Sequence, residues 1–289
     1  MMDSEKIGWA VEMACLLEVS AEKPGNVNRR HDFNDTCFED FVISAAAIGP
    51  AFRRAPETSV GETILNAVCA TKHFVGSNTN LGIVLLLAPL AKAAGMEGFN
   101  SLRPALESVL KSLTVDDARL AYKAIRLAQP GGMGTVKQND LNETDVDITL
   151  TEAMWQARKR DSLAREYVTD FAITFEIGYP AFCRILEQEA AMSAAVVQTF
   201  LTILAQVPDT LIARKKGIAL AREISERAGA ILKSGGIFSA SGQQEIRRFD
   251  FSLRDQGHAL NPGTTADLMA AVLFVYLVDN DLPPLPLRQ

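Results

Sequence analysis

The 289-residue sequence predicts an all-α protein. Apolar residues recur at helical spacing through nearly the whole chain, without convincing runs of period two and without an Asn-Gly hairpin signal. No repeat of fixed length is present, which argues against a solenoid. No linker rich in Pro, Gly or Ser divides the chain. We therefore expect about ten helices in one bundle, as a single domain over residues 1–289 with a Pro-rich tail at 282–289.

The helices can be placed in order from apolar spacing and capping signals. Apolar residues lie on one face of a first helix, and the capping-box signatures Thr36-x-x-Glu39 and Ser59-x-x-Glu62 open the second and third. The stretches 83–92 and 268–278 are apolar nearly all round, so we expect them at the centre of the bundle. Further helical patterns cover about 80–94, 102–112, 115–128, 150–165, 165–188, 193–206, 209–233, 242–255 and 264–279.

Composition and charge exclude several classes of function. The net charge of −6 offers no broad basic field for nucleic acid, and the longest apolar stretches are too short to span a membrane. The polar, acidic start is unlike a signal peptide. The four cysteines are far apart, lack a C-x-x-C pair and sit among apolar residues, so we predict reduced core residues in a cytoplasmic protein.

Five polar segments, each with Gly or Pro, interrupt the helical pattern. The segment 129–147 is long for a loop within a compact domain, which suggests a functional role. Together the five segments hold the carboxylates, amides, hydroxyls and cations that a magnesium–polyphosphate site needs. They are 22–35, 76–82, 129–147, 207–217 and 257–267.

Taken singly, each segment also has an ordinary structural explanation. Pro24-Gly25 fits a type II turn in a solvated loop, and Asn78 can cap the buried helix that follows it. The cations after Asp209 can form a solvated basic face. Glu176, set among apolar residues, must be paired, protonated or metal-bound, and an ion pair with an arginine satisfies that need. These alternatives stay open on residue types alone.

Several short motifs follow one another in a characteristic order. They are Glu18 with Lys23-Pro24-Gly25-Asn26-Val27-Asn28, His31-Asp32, Phe41-Val42-Ile43-Ser44-Ala45, Asn78-Thr79-Asn80-Leu81-Gly82, Glu176-Ile177-Gly178-Tyr179-Pro180, Pro208-Asp209-Thr210-Leu211 and Asn261-Pro262-Gly263-Thr264-Thr265-Ala266-Asp267-Leu268. In order and chemistry they resemble the triphosphoribosyl-dephospho-CoA synthase family, all-α enzymes that prepare the prosthetic group of citrate and malonate lyases. The resemblance runs from about residue 10 to 279.

Some motifs depart from the family pattern. Family members carry Gly-Asp-Thr-Asn near Asp209 and Ser-Pro-Gly-Gly-Ser-Ala-Asp-Leu at the last motif. Where the family has Asp in the first motif, this chain has Asn28. It has Asn80-Leu81 where the family has a His-Lys pair, and Leu211 where the family has Asn after Asp-Thr. The segment 126–134 resembles a branch found in archaea and in bacteria with tetrahydromethanopterin-type one-carbon metabolism.

The resemblance implies a transfer that joins C1′ of a ribose 5-triphosphate, taken from ATP with loss of adenine, to the 2′-hydroxyl of dephospho-CoA or a related acceptor. It implies Mg²⁺ as cofactor and a cofactor precursor as acceptor, with no nucleic acid or membrane partner. It leaves the oligomeric state open, a homodimer included. Two other functions remain open: phosphoribosyl transfer from phosphoribosyl pyrophosphate to a pterin-cofactor precursor, and non-catalytic nucleotide or cofactor binding.

Carried onto this sequence, the resemblance gives candidate roles to fourteen residues. Metal and base roles go to acidic residues, and Asp32, Asp209 and Asp267 are the metal candidates. His31 is a candidate for proton transfer. The acidic candidates are Asp32, Asp209, Asp267 and Glu176. The candidates for phosphate or nucleotide binding are Lys23, Gly25, Asn78, Thr79, Thr210, Arg214, Lys215, Gly263 and Thr264.

Overall fold

The computed structural model describes residues 2–98, 100–129, 146–254 and 257–287. Within these ranges the chain forms fourteen α-helices, a π-helical turn at Ile173–Gly178, a 3₁₀ turn at Gly236–Phe238 and no β-strand, which confirms the all-α prediction. The helices are α1 Ser4–Ser20, α2 Phe38–Arg53, α3 Val60–Phe74, α4 Leu81–Ala94, α5 Leu102–Lys111, α6 Val115–Ala128, α7 Leu150–Ala157, α8 Ser162–Tyr167, α9 Tyr179–Leu186, α10 Met192–Gln206, α11 Thr210–Lys216, α12 Ile218–Lys233, α13 Ala240–Leu253 and α14 Gly263–Asp279. Residues 130–145, which make up most of the predicted loop at 129–147, lie outside the described residues.

The helices are more numerous than the predicted ten because local backbone conformations break long apolar patterns. The pattern at 209–233 is interrupted by Gly217, whose φ of 94° no helix accepts. Asp170 and Phe171 both adopt left-handed φ values, 50° and 56°, and separate α8 from the π turn. Apolar periodicity alone does not reveal such breaks, because the helical spacing continues across them.

The described contacts divide the chain into two compact units. Unit 1 comprises Met1–Leu16, Glu39–Phe171 and Phe274–Pro283. Unit 2 comprises Leu17–Phe38, Ala172–Leu273 and Pro284–Gln289. The assignment of residues 1–289 to a single domain stays a prediction.

Unit 1 is built around α4, which is buried along twelve of its fourteen residues, as its uniformly apolar sequence predicts. Pro89 lies inside this helix and has no N–H to donate to the carbonyl of Leu85, four residues earlier. The hydroxyl of the buried Tyr167 donates to that carbonyl instead. The Tyr167 hydroxyl, from α8, therefore replaces the N–H that Pro89 lacks as the donor to this carbonyl. Burial raises the pKa of Tyr167 above its ordinary value.

The two capping-box predictions have different outcomes. Ser59 accepts a hydrogen bond from the N–H of Glu62 and donates its own N–H to the Glu62 carboxylate, so the box at α3 is confirmed. At the start of α2, the N–H of Phe38 donates to Asp32 Oδ1 at 2.8 Å. A carboxylate six residues upstream thus caps a helix for which Thr36 was the expected cap.

Unit 2 is centred on α10, which is mostly buried and packs against α9, α12 and the π turn. Gly178 closes the π turn where a Cβ would come within 2.3 Å of Val272 Cγ2. The turn can therefore approach α14 closely only because residue 178 has no side chain. The carbonyl of Pro286, in the predicted Pro-rich tail, accepts a hydrogen bond of 2.8 Å from the N–H of Met192 at the start of α10.

No single helix in the described ranges combines the length and the hydropathy needed to cross a membrane. Helices α10 and α11 meet that requirement only when they are counted together across a 56° bend. Of the predicted core cysteines, Cys15 is buried, but Cys69 is exposed. Cys69 lies in α3 but is not among the buried residues of that amphipathic helix, so it faces outward.

Candidate active site

Three of the five polar segments meet in unit 2. The ring of Phe33, from the first segment, stacks on the imidazole of His258 with 3.8 Å between ring centroids. Lys215 Nζ, from α11, donates to the carbonyl of His258 at 3.2 Å. Asp209 binds the start of α14. The segments 22–35, 207–217 and 257–267 are thus connected by direct contacts, and we treat their meeting place as the candidate site.

Lys23 and Glu18 form a fully enclosed ion pair at the base of the first segment. Their side chains are 1% and 4% exposed, and Lys23 Nζ lies 2.9 Å from Glu18 Oε1. The same ammonium donates to the backbone carbonyls of Glu18 and Ala21. Burial raises the pKa of the Glu18 carboxyl, and the charge of Lys23 opposes that rise. Lys23 faces the interior here, so its assignment to phosphate stays a prediction.

The predicted turn at Pro24-Gly25 is present. The N–H of Asn26 donates to the carbonyl of Lys23 at 3.2 Å, and Gly25 has φ of +76°, as a type II turn requires. The N–H of Gly25 donates to Asp250 Oδ1 of α13 at 2.8 Å. A Cβ at Gly25 would come within 2.8 Å of Leu253 Cβ. The turn is therefore packed and hydrogen-bonded onto α13.

Replacing Gly25 by alanine should destabilise the protein by about 2–5 kcal/mol. A left-handed backbone costs an L-residue roughly 1–2 kcal/mol, and overpacking adds about 1–3 kcal/mol. Gly98 is the matched control, since its φ is +71° and a Cβ there meets nothing within 4 Å. Urea unfolding should show only the backbone cost, about 1–2 kcal/mol, for Gly98→Ala. Equal losses in the two variants would contradict close packing at Gly25.

His31 and Asp32 are neighbours in sequence but not partners in the structure. Asp32 is exposed and caps α2. His31 is closed into a tight turn by two backbone hydrogen bonds with Asn28, of 3.0 and 3.1 Å. Its Nδ1 lies 3.9 Å from Asp250 Oδ2. The carboxylate that faces the imidazole therefore comes from α13.

The carboxylate of Asp209 accepts four hydrogen bonds from the protein. Asp209 is 1% exposed, and its Oδ1 accepts hydrogen bonds from the N–H groups of Leu211 and Ile212 at 2.9 and 3.1 Å. Its Oδ2 accepts from both the N–H and the hydroxyl of Thr265 at 2.8 Å. Burial raises the pKa of Asp209, and these hydrogen bonds lower it by less. One carboxylate thus joins the first turns of α11 and α14.

The remaining candidates of unit 2 surround this connection. Thr210 Oγ1 lies 3.2 Å from Thr264 Oγ1, and a Cβ on Gly263 would come within 2.7 Å of Leu211 Cδ2. Arg214 is exposed, whereas Lys215 and Asp267 are partly buried.

Glu176 differs from the expectation of a buried carboxylate, because it is exposed. It lies on the π turn, midway between the buried residues Thr174 and Gly178, and therefore on the opposite face. The burial predicted from its apolar neighbours is wrong for this reason.

Asn78 and Thr79 belong to unit 1. Asn78 Oδ1 accepts the N–H of Leu81, the first residue of α4, at 3.2 Å, whereas the N-cap position is held by Asn80, whose side chain makes no capping hydrogen bond. Thr79 is buried, and its hydroxyl lies 2.6 Å from that of Ser44. The side chain of Asn78 thus serves the first N–H of α4, and the assignment of this segment to phosphate stays a prediction.

The predicted magnesium ligands do not form a ready metal centre. Across the described ranges, no three His, Cys, Asp or Glu side chains are grouped so that they could hold a metal ion. Both oxygens of Asp209 already accept two hydrogen bonds each, which uses the acceptor capacity of a carboxylate. Asp209 therefore does not fit the role of a metal ligand in this conformation.

Three residues at the site were missed by sequence reasoning: Asp250, Arg254 and His258. Asp250 and Arg254 are spaced i,i+4 at the end of α13 and form an ion pair with a 2.7 Å contact. That spacing is a readable signal, although it is common on solvated helices. His258 lies within a recognised polar segment and could have been singled out there.

Comparisons with known proteins give a consistent result. A family model described as ATP:dephospho-CoA triphosphoribosyl transferase matches residues 4–284. The 2-(5''-triphosphoribosyl)-3'-dephosphocoenzyme-A synthase of Klebsiella pneumoniae is 25% identical over 294 residues, which cover 95% of this chain and 91% of that protein. A Malonomonas rubra protein, named "Probable 2-(5''-triphosphoribosyl)-3'-dephosphocoenzyme-A synthase", is 23% identical and covers 96% of this chain and 89% of its own length.

A solved structure agrees with these matches. The crystal structure of a "putative triphosphoribosyl-dephospho-coA synthase" from Archaeoglobus fulgidus superposes with a TM-score of 0.62 at 27% identity, covering 82% of this chain and 97% of that one. The family resemblance drawn from the ordered motifs is thereby confirmed. The family model spans almost the whole sequence, and the fold agrees with it. This chain is an enzyme of the ATP:dephospho-CoA triphosphoribosyl transferase family.

Proposed function

We propose that this protein transfers the 5-triphosphoribosyl group of ATP to a hydroxyl of dephospho-CoA or a chemically related acceptor. The observation that carries the proposal is the direct connection in unit 2 of three loops that hold family motifs, at 22–35, 207–217 and 257–267. The family match over residues 4–284 supports the same activity.

The chemistry sets clear demands on the site. The bond between C1′ of the ribose and N9 of adenine breaks, and its electron pair leaves with adenine. A bond then forms between C1′ and the acceptor oxygen, and the proton of the hydroxyl ends on adenine. Since the sugar passes through an oxocarbenium-like state, the site needs anion-binding groups for the triphosphate and a base near the acceptor.

The side chains with solvent access are the best candidates for contact with substrate. Among the candidates of unit 2, the exposed ones are His31, Asp32, Glu176 and Arg214, and the partly exposed ones are Thr210, Lys215, Gly263 and Asp267. We assign triphosphate contact to Arg214 and Lys215, which project from the same short helix, and proton transfer to His31.

A second group of residues supports the site from inside. Lys23 and Asp209 are enclosed, with their polar atoms bound to protein groups. We assign both a structural role in place of direct ligand contact. The proposal includes no step that depends on a metal held by Asp209, and the use of Mg²⁺ stays a prediction. A homodimer and a cytoplasmic location also stay predictions.

The activity can be tested with labelled donors. The protein is incubated with ATP and dephospho-CoA, and adenine and the coupled product are followed by chromatography and mass spectrometry. Adenine release with a matching product mass supports the proposal. Pyrophosphate released from phosphoribosyl pyrophosphate with a pterin precursor would replace it with the second enzymatic function. Binding of ATP without turnover of either donor would indicate a non-catalytic protein.

Replacing Arg214 by glutamine is expected to lower kcat/KM for ATP by roughly 10–100-fold. The reason is the loss of a charged hydrogen bond to phosphate, which is worth about 1.5–3 kcal/mol. Arg222→Gln is the matched control, because Arg222 is an exposed arginine on the neighbouring helix α12. Steady-state adenine release should be unchanged in the control. Equal losses in both variants would point to a general effect of surface charge.

A further inference from the structure

The end of α13 holds the loop at 22–35 through an ion pair. Asp250 Oδ1 accepts the N–H of Gly25 at 2.8 Å and a guanidinium N–H of Arg254 at 2.7 Å. Asp250 Oδ2 accepts the Nε–H of Arg254 at 3.0 Å. The two side chains are 19% and 18% exposed, so water screens this fork-shaped pair less than a surface pair.

Arg254 also binds the loop directly. The nitrogen that bonds Asp250 Oδ1 donates to the carbonyl of Asn26 at 3.0 Å. The ion pair therefore accepts the N–H of one loop residue and donates to the carbonyl of the next. Both polar groups of this piece of backbone are fixed by side chains of one helix.

The same helix determines where His31 lies. Asn28, two residues beyond Asn26, exchanges two backbone hydrogen bonds with His31, and its side chain accepts the N–H of Arg30 at 3.0 Å. The turn at 28–31 thus begins two residues after Asn26, the last residue whose backbone the ion pair binds. His31 Nδ1 comes within 3.9 Å of Asp250 Oδ2, the carboxylate oxygen that does not bind Gly25.

We propose that Asp250 and Arg254 are positioning residues for His31. Asp250 faces Nδ1 of the imidazole, and Arg254 fixes Asp250 and the loop backbone. A carboxylate beside Nδ1 favours the tautomer that carries its proton there. Nε2 is then the unprotonated nitrogen that takes the proton of the acceptor hydroxyl, and this proton afterwards passes to the departing adenine. This assignment rests on the proposed function, because it gives His31 the base role in that transfer.

The first test is a double-mutant cycle between Asp250 and His31. Asp250→Asn is expected to lower kcat for adenine release about 10–100-fold while KM for ATP changes little. In a His31→Gln background, the same substitution should lower kcat at most about threefold, because the group through which it acts is gone. Equal factors in both backgrounds would overturn the proposal, since a merely structural role gives that result.

The second test measures the loop itself by hydrogen exchange of the Gly25 amide. Arg254→Met should speed this exchange at least about tenfold, and Arg254→Lys should restore part of the protection. Glu245→Gln on the same helix is the control, since its ion pair with Arg248 is largely exposed. Unchanged exchange in Arg254→Met would show that the Asp250–Arg254 ion pair does not hold the loop. If the wild-type protein releases no adenine, the proposed function fails, and the exchange comparison still decides whether this ion pair holds the loop.

Discussion

Replacing Lys23 by methionine is expected to lower the free energy of unfolding by about 3–5 kcal/mol. Methionine has nearly the length of lysine but no charge, so it leaves the Glu18 carboxylate buried without its partner. The backbone carbonyls of Glu18 and Ala21 also each lose one of their two hydrogen-bond donors and keep a backbone N–H. Breaking one side of a buried pair costs far more than the intact pair contributes, because the desolvation of the remaining charge is no longer offset.

The loss should depend on pH in a direction that follows from Glu18. Burial raises the pKa of Glu18 above 4.5, so its contribution to stability is fully present below that pH and is lost as pH rises through the pKa in the folded state. Removing Lys23 removes the attraction that opposes the rise. We therefore expect urea unfolding to show a larger loss for Lys23→Met at pH 8 than at pH 5.

Two further variants make the test specific. The double variant Glu18→Gln/Lys23→Met has no buried charge and should regain most of the lost stability. Arg30→Met breaks the exposed ion pair with Glu22 in the same segment, which is worth only about 0.2–1 kcal/mol. If Lys23→Met were no more destabilising than Arg30→Met, the enclosed pair would not support the loop.

Replacing Asp209 by alanine is expected to cost about 3–5 kcal/mol, because three backbone N–H groups and one hydroxyl lose their acceptor. Asp209→Asn should also destabilise the protein. The NH₂ group of the asparagine would face the N–H donors of either Thr265 or the start of α11, where the carboxylate now accepts hydrogen bonds. Thermal unfolding without added metal measures both effects.

The asparagine variant separates the structural role of Asp209 from the role of a metal ligand. A ligand lost from a surface metal site would leave the metal-free protein as stable as the wild type. Asp32→Ala is the control for simple capping, because Asp32 is exposed and accepts one described backbone hydrogen bond at the start of α2. It should cost about 0.5–2 kcal/mol. Unchanged stability of Asp209→Asn would return Asp209 to the metal candidates.

The helical frame could be predicted from sequence because it depends on local patterns. The apolar run of α4 and the Ser59–Glu62 box were each readable within a few residues, and both are confirmed. The breaks at Gly217 and Asp170 were not predicted, since a left-handed backbone leaves the apolar spacing unchanged. The type II turn at Gly25 was predicted because Pro and Gly fix its dihedral angles locally.

The site was predicted less completely because its contacts join distant segments. The sequence places Asp32 next to His31, whereas the carboxylate that faces the imidazole, Asp250, lies 219 residues further along the chain. Burial was similarly misjudged for Glu176, whose face on a π turn is set by tertiary packing. Residue types identified which segments carry polar chemistry, but the partner of each side chain follows from packing.

The two hydrogen bonds between Thr265 and Asp209 have an evolutionary consequence. Two of the four donors to the carboxylate come from residue 265, and one of them is its hydroxyl. Loss of either side chain alone leaves buried polar groups without a hydrogen-bond partner. We therefore expect positions 209 and 265 to change together in evolution. The family motifs that resemble these segments have aspartate at the first position and serine at the second, which keeps the hydroxyl. Covariation between these positions is therefore expected even among relatives whose substrates have diverged.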